Sequence, residues 1–454
     1  MTNEDRFSRI TDAIVVLPLV AGDQDLRRAP EARLDEAAGL AEAIDLQVVD
    51  KVIAPITQPK PSTLFGTGKV SEIADRLVEA GGVQLAIVDA SLSPVQHRNL
   101  EKAWNAKVLD RTGLILEIFG ARAQTAEGRL QVELAHLSYQ KSRLVRSWTH
   151  LERQRGGAGF LGGPGERQIE ADRRALQGKI DRLRHKLEQV RKTRTLQRSK
   201  RKRAPYPVIS LVGYTNAGKS TLFNRLTNSA VLAQDMLFAT LDPTMRAVNL
   251  QTGHKVILSD TVGFISDLPT ELVAAFRATL EEVNEADIIV HVRDASHPDS
   301  DAQRQDVIEV LMSLGIEEDD DRPFVEVLNK IDVLDAEERA SVEATVRLSA
   351  LEAEGSFDHP LVLACAALTG EGVSGIVDTL TELITRDFGL WVITLPQEAG
   401  AARAWLHGHG DVLSETETGL HVRLSEEDIG KFRKRFPEFE VDIMSALHSQ
   451  QASA

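Results

Sequence analysis

Short apolar runs alternate with helical patterns from residue 1 to about 120. "AIVVLPL", "LQVVDKVIAP", "LAIVDASL" and "AKVLDRTGLILEIFG" read as strands or strand ends, with "SEIADRLVEAGG" and "PVQHRNLEKAW" as helices between them. This alternation predicts a small α/β domain on a largely parallel sheet. The pattern then changes to a heptad. Leu130, Leu134, Leu137, Leu144, Trp148 and Leu151 form one seam, and Ile169, Leu176, Ile180, Leu183, Leu187 and Val190 a second. Between them "RQRGGAGFLGGPGERQ" cannot continue a helix. The two helices are therefore expected to fold back as an antiparallel hairpin with the glycine loop at its tip. Strand and helix patterns alternate again from Tyr206 to about Arg386, as a second α/β domain requires. "GLWVITLP", "AARAWLHGHG", "GLHVRL" and "SEEDIGKFRKRF" then predict a small α+β domain. The expected class is multidomain α/β. Its divisions are an N-terminal α/β domain at 1–120, the hairpin with a basic linker at 121–203, a mostly parallel doubly wound domain at 204–388 and the α+β domain at 389–454.

Composition sharpens this picture at one place. The chain has 454 residues, 42% hydrophobic and 27% charged, as in soluble globular proteins with sizeable cores. Its formal charge is −15, yet Lys141 to Arg203 holds 20 Lys/Arg against 6 Asp/Glu, a local net of +14 that leaves −29 for the rest. A basic segment in an acidic protein points to an anionic partner there. Cys365, the single cysteine, rules out an intramolecular disulfide and suits a reducing cytosol. No apolar run approaches the roughly 20 residues of a membrane span, and the polar start "MTNEDRFSRI" does not read as a secretory signal. A cytoplasmic location is expected.

The chemistry centres on "GYTNAGKST", Gly213 to Thr221, between the apolar run "PVISLV" and "LFNRLT". It fits G-x-x-x-x-G-K-[ST] in full. Its glycines let main-chain N–H groups turn around phosphate oxygens, and the helix starting near Lys219 adds its positive end. Lys219 would reach the terminal phosphates and the Ser220 hydroxyl would hold Mg²⁺. "DTVG", Asp260 to Gly263, follows the strand-like "KVILS"; Asp260 can hold the metal through water, and the Gly263 N–H can meet a γ-phosphate. "NKID", Asn329 to Asp332, follows the strand-like "FVEVL". The Asp332 carboxylate can accept the ring N–H and the exocyclic amine of guanine, whereas adenine offers an acceptor there, so GTP is chosen over ATP. A turn or a surface helix start would account for any one of these motifs alone. All three in order, each after a strand, mark a P-loop GTPase domain. Between the first two, "LFATLDPTMR" suits a switch loop ordered by γ-phosphate and Mg²⁺, with Thr240 as candidate metal ligand and Thr244 as runner-up. The candidate GTP-contacting positions are Gly213, Tyr214, Thr215, Asn216, Ala217, Gly218, Lys219 and Ser220; Phe238, Ala239, Thr240, Leu241 and Asp242; Asp260, Thr261, Val262 and Gly263; Asn329, Lys330, Ile331 and Asp332; and Ala366, Ala367 and Leu368. Lys219, Thr240 and Gly263 are the candidate catalytic groups. In the N-terminal part, "FGTGKV" lacks the full phosphate-loop spacing and reads as an ordinary turn.

"GYTNAGKSTLFNRLT", "FATLDPT", "DTVGFI", "NKID" and above all "GGAGFLGGPGERQIE" resemble the HflX family of translation-factor-related GTPases, over almost the whole chain. The resemblance implies a GTP-dependent factor that binds the large ribosomal subunit and its RNA and helps split stalled or idle ribosomes, often under stress; a monomer is expected. It also implies that the stretch matching Gly156 to Arg167 reaches toward the peptidyl-transferase centre. The residues themselves agree at the tip. A loop with Arg153, Arg155 and Arg167, glycines at Gly156, Gly157, Gly162 and Gly163, and an apolar Phe160 beside Leu161 can approach phosphates and stack on splayed bases. A plain linker with solvated charges is the plainer alternative.

Phe264 stands where Ras-like enzymes carry a water-orienting glutamine, which predicts slow intrinsic hydrolysis. Asn216 stands where related K⁺-using GTPases carry an asparagine, so it is either a K⁺ ligand or an asparagine suited to a tight turn. Two positions depart from the family pattern. Ala366 replaces a usual serine in "CAALTGEG", which leaves the Ala367 N–H to meet the guanine oxygen without that hydroxyl, and Arg293 replaces a small apolar residue. Two other functions compete: an RNA-remodelling or RNA-chaperone protein regulated by GTP through its N-terminal region, and a membrane-associated regulator binding anionic lipid. No clear lipid-facing basic stripe supports the second.

Overall fold

Four apolar runs near the N-terminus pair into an all-parallel sheet. They are β1 (Thr11–Val20), β2 (Leu46–Ile56), β3 (Leu85–Val88) and β4 (Lys107–Asp110), in the order β2-β1-β3-β4. Both faces are covered, as parallel sheets require, and Ala13 to Leu17 are fully buried. The computed structural model describes residues 11–21, 28–123, 125–154, 164–201, 206–227, 244–250, 255–266, 283–316, 322–352, 359–386, 388–396, 398–416 and 419–443.

Helices α1 (Pro30–Glu42), α2 (Thr67–Glu79), α3 (Pro94–Trp104) and α4 (Arg111–Arg122) connect and flank these strands. Ser93 starts α3 with a reciprocal cap: its hydroxyl accepts the Gln96 N–H at 3.3 Å while the Gln96 side chain accepts the Ser93 N–H at 2.8 Å. "FGTGKV" holds the fully buried Phe65 and the first residues of α2, and Lys69 pairs with Glu72 at 2.7 Å. One sequence expectation needs correction. Only the first part of "AKVLDRTGLILEIFG" is strand; from Arg111 onward it is α4, capped by Asp110, whose Oδ1 accepts the Gly113 N–H at 2.8 Å.

The heptad seams lie on α5 (Ala126–Gln154) and α6 (Pro164–Arg201). The Lys141 ammonium donates to the Gln177 side chain, and each residue lies thirteen positions from the facing end of its helix, the register of an antiparallel pair. On α6, Ile180, Leu183 and Leu187 are buried as expected. On α5 the seam leucines Leu130, Leu134 and Leu137 are only half-buried, while Val132 and Ala135 are buried in a cluster that includes Leu116 and Phe119 of α4. That helix therefore carries a second apolar stripe, which docks it on the N-terminal unit. The side chains of Leu144, Trp148, Leu151 and Ile169 lie outside the described residues.

The second sheet has the order β10-β9-β8-β5-β7-β6. Its strands are β5 (Val208–Val212), β6 (Thr244–Asn249), β7 (Lys255–Asp260), β8 (Ile288–Asp294), β9 (Phe324–Asn329) and β10 (Leu361–Ala364), parallel throughout except β6 against β7. Helices α7 (Lys219–Thr227), α8 (Ser300–Ser313), α9 (Ala336–Glu352) and α10 (Val373–Thr385) accompany it. The third sheet is antiparallel. Strand β11 (Gly389–Thr394), helix α11 (Gly400–His409), strands β12 (Asp411–Thr416) and β13 (Gly419–Leu424), helix α12 (Glu426–Arg435) and strand β14 (Glu440–Ile443) give a β-α-β-β-α-β unit with sheet order β12-β13-β11-β14. The predicted multidomain α/β class is the one observed. One apolar cluster spans the first two units, from Ala37, Leu40 and Ala41 of α1 to Tyr214, Phe264 and Ile265. No helix among the described residues is long and apolar enough to cross a membrane.

Candidate functional site

In an open α/β sheet, ligands bind at the carboxyl ends of the strands where the strand order reverses. Here that place is β5, flanked by β8 and β7. The chain leaves β5 at Gly213, turns through Gly218 with φ +91°, and enters α7 at Lys219. The turn is crowded by design of its neighbours. A Cβ on Gly213 would lie 2.2 Å from the Val292 carbonyl oxygen, and one on Gly218 would lie 2.1 Å from the Asn329 amide nitrogen. Gly263 approaches the same loop less closely: its Cβ would be 2.9 Å from Thr215 Cγ2 and 3.1 Å from Lys219 Nζ. Only glycine fits at Gly213 and Gly218, and a side chain at Gly263 would force Thr215 or Lys219 to shift.

Hydrogen bonds join the motifs that the sequence holds far apart. Asn329 Nδ2 donates to the Ala217 carbonyl at 2.8 Å, and its Oδ1 accepts the Ala367 N–H at 2.9 Å, with Cys365 Sγ 3.4 Å away. One asparagine thus ties the phosphate loop to both base-side loops. Phe264 N–H donates to the Gly213 carbonyl at 3.1 Å, and its own carbonyl accepts the Thr215 N–H at 2.8 Å, fixing "DTVG" against the same loop. Lys330 takes a left-handed φ of 66° and pairs with Asp294 at 2.7 Å, leaving Asp332 exposed beyond the buried Ile331.

Two of the candidate metal-side groups lie together. Ser220 Oγ donates to Asp260 Oδ2 at 2.7 Å, at the mouth of a buried carboxylate. A hydroxyl and a carboxylate form a hard-oxygen set that suits Mg²⁺. Lys219 is buried with Nζ donating to the Tyr214 carbonyl at 2.8 Å, and burial, opposed by Asp260, pulls its pKa down to about 8. Phe264 is 1% exposed, so its ring belongs to the core and faces no water.

Family models match three consecutive stretches: one described as the GTP-binding GTPase N-terminal region at residues 31–120, one as the GTP-binding GTPase middle region at 122–201, and one as a 50S ribosome-binding GTPase at 208–330. A GTPase HflX from Magnetococcus marinus is 47% identical over 411 residues, covering 90% of this chain and 91% of the relative. The chain belongs to the HflX family of GTPases. The HflX of Escherichia coli is 41% identical over 444 residues, 95% of this chain and 98% of that one. A GTP-binding protein from the archaeon Sulfolobus solfataricus, solved in complex with GDP, aligns over 83% of this chain and 99% of its own at 23% identity and a TM-score of 0.44. As an HflX-family enzyme the chain hydrolyses GTP to GDP and phosphate.

Gly213 to Ser220, Asp260 to Gly263, Asn329 to Asp332 and Ala366 to Leu368 converge on one end of the HflX sheet. Phe238 to Asp242, with the candidate metal ligand Thr240, lie outside the described residues, as do Arg155, Gly156, Gly157, Phe160, Gly162 and Gly163. Arg153 and Arg167 are placed as helix positions only. Both departures from the family pattern find a structural setting. Ala366 is fully buried in a tight loop, its N–H donating to the Glu371 carbonyl at 2.9 Å. Arg293 pairs at 3.1 Å with the buried Glu326, which also accepts from Arg304. Burial pushes that carboxyl up, but His291 and the two guanidiniums outweigh it and hold it at about 2. Sequence reasoning missed Arg28, Glu36, Arg111 and Ser266, which surround the Tyr214 hydroxyl. Their partners lie up to 186 positions away, and no local period marks such contacts.

Proposed function

We propose that this GTPase binds the large ribosomal subunit in its GTP state and helps dissociate stalled or idle ribosomes, with hydrolysis releasing it. The observation that carries the reading is the join between a guanine-nucleotide site and a long helical hairpin whose segment 141–203 has a net charge of +14 in an acidic protein. Phosphate-rich RNA is the partner that such a segment suits. In this reading the chain divides at 1–120, 121–203, 204–388 and 389–454, and Arg153 to Arg167 meet ribosomal RNA.

Within the site, Lys219 grips the β- and γ-phosphates, the Gly263 N–H meets the γ-phosphate, and Asp332 reads guanine. Ser220, Asp260 through water, and Thr240 would hold Mg²⁺, which would supply charge neutralisation on the phosphate oxygens. Asn216 is a candidate K⁺ ligand. It takes a left-handed φ of 60° and lines a cavity of about 570 Å³, where the carboxylates of Asp35, Glu36 and Asp294 already pair with Lys51, with Arg28 and Arg111, and with Lys330, so the Asn216 amide oxygen alone carries this assignment. Phe264 provides no water-orienting group, so the ribosome or a cation completes the reaction.

Steady-state GTP turnover of the full chain, measured with and without large ribosomal subunits in K⁺ and in Na⁺, tests these assignments together. Turnover is expected to be slow alone, to rise by at least about tenfold with subunits, and to be faster in K⁺. A chain shortened between Gly156 and Gly165 should bind GTP but lose the stimulation. Stimulation that survives this deletion removes the tip as the contact, and equal rates in both salts remove Asn216 as a K⁺ ligand.

A further inference from the structure

Among the described residues, the phosphate loop meets the N-terminal unit through Tyr214, whose ring packs in the shared apolar cluster and whose hydroxyl makes the polar contacts. Tyr214 Oη, beside Gly213, donates to Glu36 Oε2 of α1 at 2.7 Å and accepts from Arg28 at 3.1 Å and from the Ser266 N–H at 2.9 Å. Ser266 lies three residues past Gly263. It is held a second time from the N-terminal unit: Arg111 Nη2 at the start of α4 reaches Ser266 Oγ at 2.8 Å, the Ser266 carbonyl at 3.2 Å and Glu36 Oε1 at 2.6 Å. The other arm of Arg111 pairs with Asp89 at 2.5 Å. All four charged side chains are nearly dry, with exposures of 3% for Arg28, 10% for Glu36, 7% for Arg111 and 3% for Asp89. Burial pushes the Glu36 carboxyl up, yet Arg111 and Arg28 outweigh it and hold it below the usual carboxylate range, so it stays ionised.

We propose that Glu36 and Arg111 are positioning residues of the GTPase centre: through the Tyr214 hydroxyl and Ser266 they set the distance between the phosphate loop and the Gly263 segment. This rests on the reading of Gly263 as the γ-phosphate contact. The segment from Gly263 to Ser266 is pinned at both ends, by the Phe264 main-chain bonds to Gly213 and Thr215 and by the bonds of Ser266 to Tyr214 and Arg111. Shifting Gly263 relative to a γ-phosphate must therefore strain or break charge-assisted hydrogen bonds in a low-dielectric setting, where they are strongest. GDP makes no demand on Gly263. The N-terminal unit thus favours the triphosphate over the diphosphate, and by reciprocity the triphosphate firms its attachment.

Equilibrium binding of GDP and of a non-hydrolysable GTP analogue to the full chain, without ribosomes, tests this. Ser266→Ala removes the hydroxyl held by Arg111, and Glu36→Gln removes the charge while keeping the shape. Each is expected to weaken the analogue by about tenfold while leaving GDP within about twofold. A purely structural role would weaken both nucleotides equally, which overturns the proposal, as does an unchanged ratio in both variants. If Glu36→Gln fails to fold, Ser266→Ala, which removes a single hydroxyl from a half-buried position, decides alone. If the unaltered chain binds neither nucleotide, the reading of the site itself fails and the proposal falls with it. If the unaltered chain binds both and the variants keep its ratio, the positioning role alone is lost.

Discussion

Lys219 shows how much of the site depends on what fills it. Buried beside Asp260, its ammonium has a pKa drawn down to about 8, because burial outweighs the carboxylate. An unfolded chain keeps this proton to a higher pH, so between about pH 8 and the usual lysine range the unfolded state binds more protons and stability rises with pH; below about 8 both states are protonated and the full penalty of burying the charge remains. Phosphates against Nζ reverse the balance by favouring the charged form. Nucleotide binding should therefore take up close to one proton at about pH 9 and almost none at about pH 7. Calorimetry in buffers of different ionisation enthalpy counts these protons. A proton count that does not change with pH contradicts a buried lysine waiting for phosphate.

At the scale of elements, Asp110 and Arg111 form a junction. Asp110 caps α4, accepts the Tyr139 hydroxyl of α5 at 2.6 Å and pairs with Arg143 of α5 at 3.3 Å, while its neighbour Arg111 reaches toward the nucleotide loops. The helix that leads to the basic tip is thus fastened one residue from the group that contacts Ser266. Tyr139→Phe should loosen this fastening by about 1–2 kcal/mol, seen as roughly tenfold faster hydrogen exchange over residues 126–143. Unchanged exchange there removes the junction as a mechanical link. Periodicity could not reveal it. Residues Arg111 to Leu116, Ile118 and Phe119 of α4 are buried, and its exposed face, Glu117, Gly120 and Ala121, carries only one charged side chain, too little to set a helical period, so it reads like a strand. The α6 seam was legible because one face is solvated; the α5 seam was half legible because the helix uses two faces. The nucleotide loops were legible because each needs glycine or a carboxylate at a fixed spacing. The contacts of Glu36 and Arg111 needed the fold.

The whole molecule places an acidic body around a GTPase centre and a long basic helical pair beside it. The two are physically continuous: an apolar cluster joins α1, α4 and α5 to Tyr214, Phe264 and Ile265, so the nucleotide loops and the hairpin share one support. Coupling of this kind needs a difference in contacts between two nucleotide states, and the bonds around Ser266 are where that difference is proposed to arise. The proposed electrostatic binding of the hairpin to RNA would carry a signature, a steep loss of affinity as salt rises. Sedimentation of the full chain with purified large ribosomal subunits, loaded either with GDP or with a non-hydrolysable GTP analogue over a series of salt concentrations, brings these threads together. The chain should pellet with the analogue, remain in solution with GDP, and release steeply as salt increases. Equal pelleting with both nucleotides, or none with either, would contradict a GTP-gated hold on the ribosome.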